Sequence, residues 1–264
     1  MTRNISKEDS GQPADVAETA GAGSIFSRTE LLLGAAAVAA FSRLRVAVFG
    51  VGGVGGWCAE SLVRSGVGHL MIVDPDRVCA SNVNRQVMAT SHTVGQMKVA
   101  ALRERLLEIN PAAEVVAEAR VYSAENSGTF DLAGFDYVVD AIDSMRAKAH
   151  LINAVTRLER PVLVSSLGAA RKTDPFRIRK SEFWKVKGDG LARALRRRFR
   201  QLGEFPAKKF ACVWSDELPA PLGAGGALGS AVHVTAMFGF ALAGLVLRTA
   251  VASFPSCAAR GNVQ

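Results

Sequence analysis

An apolar, β-branched run that ends in clustered glycines and passes straight into a helical pattern constrains this chain more than any other feature. In Arg45-Val-Ala-Val-Phe-Gly-Val-Gly-Gly-Val-Gly-Gly-Trp57 the apolar residues read as a strand and the glycines as a tight turn. Ala59, Leu62 and Val63 then fall on the inward face of a helix. Gly50, Gly52 and Gly55 fit G-x-G-x-x-G, and Gly53 adds a further glycine. Gly50 serves the turn, Gly52 lets backbone N–H groups approach a phosphate, and Gly55 lets the helix pack close to the strand. The helix N-terminus adds partial positive charge, so the motif points to a nucleotide without saying which.

Strands alternate with helices downstream. His69–Asp74 reads as a buried strand ending in a carboxylate, and Asp74 stands at the spacing where an acidic residue meets a ribose. A long polar connection over 75–93 carries Asn82, Asn84, Arg85 and Gln86, and loops of that length are usually functional. A helix is predicted over Val94–Asn110, with Lys98 in its first turn, where a cation opposes the helix dipole unless an anion lies nearby. Strands follow at Glu114–Glu118, Asp136–Asp143 and Pro161–Ser165, with helices at Ser123–Leu132 and, capped by Ser144, at Met145–Leu158. The pattern over 45–165 is a Rossmann-like, doubly wound α/β fold with a mostly parallel sheet, followed by a strand/helix extension. Ligands in such sheets collect at the carboxyl ends of the strands, where the glycine turn, Asp74, Asp140 and Asp143 fall.

Residues 1–24 lack an apolar period and read as a disordered lead-in, without the basic start and apolar core of a signal peptide. One nucleotide-binding domain is expected over 25–254, with a tail at 255–264. Leu31–Phe41 reads as one short helix, too short to span a bilayer. A basic insertion over about 176–215 holds an alternating strand at Phe176–Lys180, an arginine-rich helix at Leu191–Leu202 and a strand at Phe210–Ser215. Residues 216–230 form a Gly/Pro-rich loop, and Ala231–Val251 is an apolar helix that meets the length of a membrane span. Its glycines and small residues favour a buried core helix over membrane contact. Cys58, Cys79, Cys212 and Cys257 form no C-x-x-C pair, which argues for a reduced, cytoplasmic setting and against a tetrahedral zinc site. The net charge of +8 favours a polyanionic partner, and the arginine-rich helix suits a phosphate backbone such as that of tRNA.

A dinucleotide needs only backbone N–H groups for its pyrophosphate, whereas a triphosphate under attack needs added cations and a metal. Arg85 and Lys98 are placed as those cations, Asn82 as a neutral donor and Asp143 as a Mg²⁺ ligand. The cluster therefore favours ATP over NAD. An NAD-dependent oxidoreductase and a non-catalytic bridging module, for instance within a cysteine desulfurase sulfur-transfer system, are the rival classes.

Gly50-x-Gly-Gly-x-Gly55, Asp74-Pro-Asp76, Ser81-Asn-Val-Asn-Arg-Gln86, Val94-Gly-Gln-Met-Lys98, Ile109-Asn-Pro111 and Asp140-Ala-Ile-Asp143 resemble, in that order, the ThiF/MoeB/HesA superfamily of ubiquitin-activating-type adenylating enzymes. Asp140–Lys148, Thr173-Asp-Pro175, the basic insertion, Cys212–Ser215 and Val234–Gly239 are similar to its tRNA threonylcarbamoyladenosine dehydratase branch. The resemblance implies that Asp74 holds the ATP ribose and that Asp76 is a further cofactor-binding residue. It implies that Asn82, Arg85 and Lys98 hold the phosphates and Asp143 the Mg²⁺. It also implies that Arg28 reaches the ATP of a neighbouring subunit, hence a homodimer. The implied reaction adenylates the threonyl carboxylate of the modified tRNA base, which then cyclises with loss of AMP. Branch members that activate ubiquitin-like sulfur-carrier proteins usually carry paired C-x-x-C zinc sites, absent from this sequence.

Overall fold

The computed structural model describes residues 24–221 and 228–253. Its elements are α1 (Ser27–Leu33), α2 (Ala35–Phe41), β1 (Arg45–Phe49), α3 (Gly55–Arg64), β2 (His69–Val73), α4 (Lys98–Ile109), β3 (Glu114–Glu118), β4 (Tyr137–Asp140), α5 (Met145–Arg157), β5 (Val162–Ser166), β6 (Ile178–Glu182), α6 (Gly190–Leu202), β7 (Ala211–Ser215) and α7 (Val232–Ala252). The strands form a seven-stranded sheet in the order β3-β2-β1-β4-β5-β7-β6. All neighbours are parallel except β6, which runs antiparallel to β7 at the edge. This is the expected doubly wound α/β fold. Chain direction reverses its progress across the sheet between β1 and β4, which opens a crevice outside their carboxyl ends.

Two apolar layers cover the sheet. On one face α3, α4 and α7 bury Leu62, Leu102 and Phe238 against Val46, Val48 and Ile72. On the other, α5 and α6 bury Leu151, Ile152 and Phe199 against Ala47, Phe49 and Val138. Central strands buried on both faces need apolar residues at every position, which is why β1 and β4 read as runs.

Several elements differ from the sequence expectation. Leu31–Phe41 is not one helix: Gly34, at φ +89°, breaks it into α1 and α2. The helix predicted from Val94 starts only at Lys98, because Gly95 has φ +91° and Arg77 bridges Met97 across the loop. Ser123–Leu132 is not helical beyond short 3₁₀ turns. There Asn126 folds its side chain back, accepting from Ser123 N at 2.8 Å and donating to Val121 O at 2.7 Å, and the segment closes as local turns. Phe176 lies in a 3₁₀ turn before β6, where Pro175 and the Asp174 side chain cap the backbone. Ser144 stands at the start of α5 but makes no side-chain cap. The proposed lead-in, except Ser24, the tail and residues 222–227 of the Gly/Pro-rich loop lie outside the described residues.

α7 is buried on one side only. Val234, Phe238, Leu242 and Val246 face the core, while Val232, Met237 and Phe240 are exposed. It is long and apolar enough to cross a membrane. Its inner face is tied closely to α3, since a Cβ on Gly239 would stand 2.6 Å from Val54 O.

Candidate active site

A cleft of about 620 Å³ opens at the carboxyl ends of β1, β2 and β4. The glycine turn forms its floor. Gly50 has φ +83°, and a Cβ there would meet Ala141 O at 2.6 Å, so β1 and β4 can lie side by side only with glycine at this turn. A Cβ on Gly55 would stand 1.8 Å from Gly50 O, so the start of α3 is pressed onto the turn. Gly52 is open by contrast: its nearest neighbour would be Gln86 Nε2 at 3.7 Å. Gly52 and Gly53 line the cleft and Gly55 lies beneath it.

Asp74, at the end of β2, accepts from Val51 N at 2.9 Å and from Asp76 N at 3.0 Å. It thereby ties the glycine turn to the next strand end. Burial pushes its carboxyl upward, opposed by the Asp76 N–H, the Lys98 ammonium and the Val51 N–H. Lys98 is buried, with Nζ 2.7 Å from Asp76 Oδ2 and 3.9 Å from Asp74 Oδ1. The anion expected near this helix start is therefore present within the chain itself. Asn82 turns its Oδ1 to Cys79 N at 3.0 Å, which leaves its side-chain N–H₂ as the donor end. Arg85 Nη1 donates to Ser81 O at 2.8 Å and to Asn84 Oδ1 at 2.9 Å, and its Cγ is 3.4 Å from a notional Cβ on Gly53. Asp143 is exposed on the loop after β4. Asp74, Asp76, Asn82, Arg85, Lys98 and Asp143 all line the one cleft. Arg28 does not: it is exposed on α1, outside the lining.

Beneath the Asp143 loop lies a group that sequence reasoning passed over. Lys148 Nζ is 2.8 Å from Asp140 Oδ2, with both side chains wholly buried. Asp140 also accepts from Ser165 Oγ at 2.6 Å and Ile142 N at 3.2 Å, and Lys148 donates to Ile142 O at 3.2 Å. The signal was legible: Lys148 shares the inward stripe of α5 with Leu151, Ile152 and Val155, where a lysine needs a buried partner. Cys212 is wholly buried in β7, and burial pushes its thiol upward, so it offers no thiolate to the cleft.

The ThiF family model matches residues 26–248. The chain belongs to the ThiF family. Among ThiF relatives it is 42% identical to the tRNA threonylcarbamoyladenosine dehydratase of Bacillus subtilis, an alignment covering 74% of this chain and 75% of that one. It is 34% identical to the dehydratase of Escherichia coli, covering 81% and 89% respectively. Among solved structures, the Escherichia coli dehydratase TcdA in complex with ATP superposes with a TM-score of 0.79 at 35% identity, over 90% of this chain and 96% of that one. The seven-stranded sheet is thus the ThiF sheet, and the cleft described above lies at its switch point.

Proposed function

We propose that this chain is an ATP-dependent dehydratase that adenylates the threonyl carboxylate of N6-threonylcarbamoyladenosine in tRNA and cyclises it. One observation carries the reading: Asp74, Asn82, Arg85, Lys98 and Asp143 converge on a single cleft around an open Gly52. That arrangement suits a triphosphate, because backbone N–H groups, a guanidinium and an amide donor face the same space. Asp74 and Asp76 would serve the ribose side, and Asn82, Arg85 and Lys98 the phosphates. For Lys98 this means exchanging part of its pairing with Asp76 for the nucleotide. Asp143 fits Mg²⁺ as a single exposed carboxylate, since this ion is commonly held by one or two carboxylates plus the phosphates of its substrate. Mg²⁺ there would neutralise charge building on the phosphates.

The threonyl carboxylate attacks the α-phosphorus and pyrophosphate leaves. The neighbouring carbamoyl group then closes onto the acyl-adenylate and expels AMP. Both nucleophile and electrophile of the second step belong to one nucleoside, so proximity lowers its barrier. Arg28 would complete the cleft of a second copy of the chain. α1 supports this, because it carries Arg28 beside exposed Leu31 and Leu32, 79% and 81% accessible. We take α7 as a core helix of a cytoplasmic enzyme, given how tightly Gly239 seats it on α3.

ATP–pyrophosphate exchange with Mg²⁺ and tRNA carrying the modified base tests the reading. Exchange is expected only with that tRNA and is expected to fall on the order of a hundredfold or more in Asp143→Ala. Exchange triggered by a sulfur-carrier protein instead would replace the substrate and keep the chemistry.

The tRNA backbone is assigned to α6. Arg193, Arg197 and Arg200 are exposed at i, i+4 and i+7, and none is in an ion pair among the described residues. Arg196 is different: it donates to Phe183 O and Val186 O at 2.6 and 2.7 Å and braces the fold. Replacing Arg193, Arg197 and Arg200 together by alanine is expected to lower the slope of log K for tRNA against log salt by about 2. ATP binding should be unchanged.

A further inference from the structure

Gln86 lines the cleft but has no place in the site described above. Its residue is 7% exposed, and its backbone is fixed: Gln86 N donates to Asn82 O at 2.9 Å and Ala89 N donates to Gln86 O at 3.0 Å. The turn that carries the side chain is thereby held in place. Among the described residues its Oε1 is buried without any hydrogen-bond partner. Its Nε2 stands 3.7 Å from where a Cβ on Gly52 would be, over the most open point of the glycine turn.

A buried amide that makes no side-chain hydrogen bond costs stability, and an apolar residue of similar size would serve the fold better. Leucine or methionine would pack against the same neighbours without that cost. The two ends of the amide differ in what they can do. A carboxamide over an open glycine, in the cleft that Arg85 and the glycine turn also line, presents a donor where the phosphate oxygens of a bound nucleotide would lie. Neutrality matters as well, since the cleft already holds carboxylates at Asp74, Asp76 and Asp143.

We propose that Gln86 is a further substrate-contacting residue, its Nε2 donating to a phosphate oxygen of ATP above Gly52. The inference rests on the ATP-dependent reading of the cleft and adds a contact to it. The bond forms only when nucleotide is present and uses the donor end of the amide, while the buried Oε1 stays unpaired in both states, so it is the donor for which a glutamine is kept here. Gln86 then discriminates charge. A glutamate of nearly the same shape would face the phosphates with a like charge and lose the donor together.

The test is calorimetric titration of ATP, and separately of adenosine, into the wild-type protein, Gln86→Leu and Gln86→Glu, with thermal unfolding of each free protein. Gln86→Leu is expected to unfold at or above the wild-type temperature yet bind ATP about tenfold more weakly, the loss of one hydrogen bond to a charged group. Gln86→Glu is expected to weaken ATP by a hundredfold or more. Adenosine, which lacks phosphates, should bind all three proteins alike. ATP binding by Gln86→Leu at wild-type strength would overturn the proposal. So would a parallel loss of adenosine and ATP with a lowered unfolding temperature, which would mark Gln86 as structural. Wild-type protein that binds ATP with this pattern but shows no exchange with modified tRNA would overturn the substrate reading and leave the Gln86 contact standing.

Discussion

Lys148→Met is expected to destabilise the protein by about 3–5 kcal/mol, read as a lower urea midpoint at unchanged m value. The lysine is the cationic partner of Asp140 in a wholly buried pair. Methionine fills nearly the same volume, so packing alone would predict a small effect. The cost comes from the carboxylate left behind, which keeps Ser165 and Ile142 N as neutral donors but loses its counter-charge. A second substitution decides between the two accounts. With Asp140→Asn added, the buried charge is gone and much of the stability should return, giving a large coupling energy in the double-mutant cycle. Near-additive losses would show that volume, and not charge, governs this site.

Gly55→Ala is expected to be nearly as damaging, costing at least about 1–3 kcal/mol by overpacking. Its Cβ would sit 1.8 Å from Gly50 O and 3.0 Å from Gly50 C, both backbone atoms with no rotamer to change. The turn must move, and with it the Gly50 contact to Ala141 and the Asp74 bond to Val51. Gly52→Ala makes the contrast, since its methyl group would meet only the end of the Gln86 side chain. Its unfolding temperature should match wild type while ATP binding weakens. Thermal unfolding of the two variants side by side, with ATP titration of the one that folds, checks both halves. Equal stability of the two would refute the packing argument for Gly55.

The central parallel strands were legible because they are buried on both faces: β1 and β2 fall where their apolar runs and flanking residues place them. The cleft residues were legible for a related reason, since a carboxylate or an arginine just after a buried strand stands out against it. What failed was local. Nothing in the alanine-rich stretch before β1 signals that Gly34 breaks a helix, because glycine is tolerated inside helices at modest cost. Ser123–Leu132 has helix-compatible spacing, but the chain there closes as short 3₁₀ turns with Asn126 folded back onto Ser123 N and Val121 O. Lys98 was read by its dipole environment as wanting an anion, which was right, though the anions proved to be Asp76 and Asp74 of the same chain. The inward place of Lys148 was legible in the stripe of α5, but its partner was not, because only the fold brings the end of β4 over the first turn of that helix.

The placement of α6 has a consequence for selectivity. Leu191, in its first turn, lines the cleft, and Asp189 caps it beside Gly168, so one end of the helix is anchored at the chemistry. Arg193 to Arg200 then run outward over about 10 Å. With the tRNA backbone on α6 as proposed, its arginines would be indifferent to base identity, and the helix would behave as a ruler and not as a reader. It would admit an RNA by how far the reacting nucleoside stands from a rigid stretch of backbone. Lengthening α6 by one turn should then exclude substrates that the present helix accepts, with the cleft itself untouched.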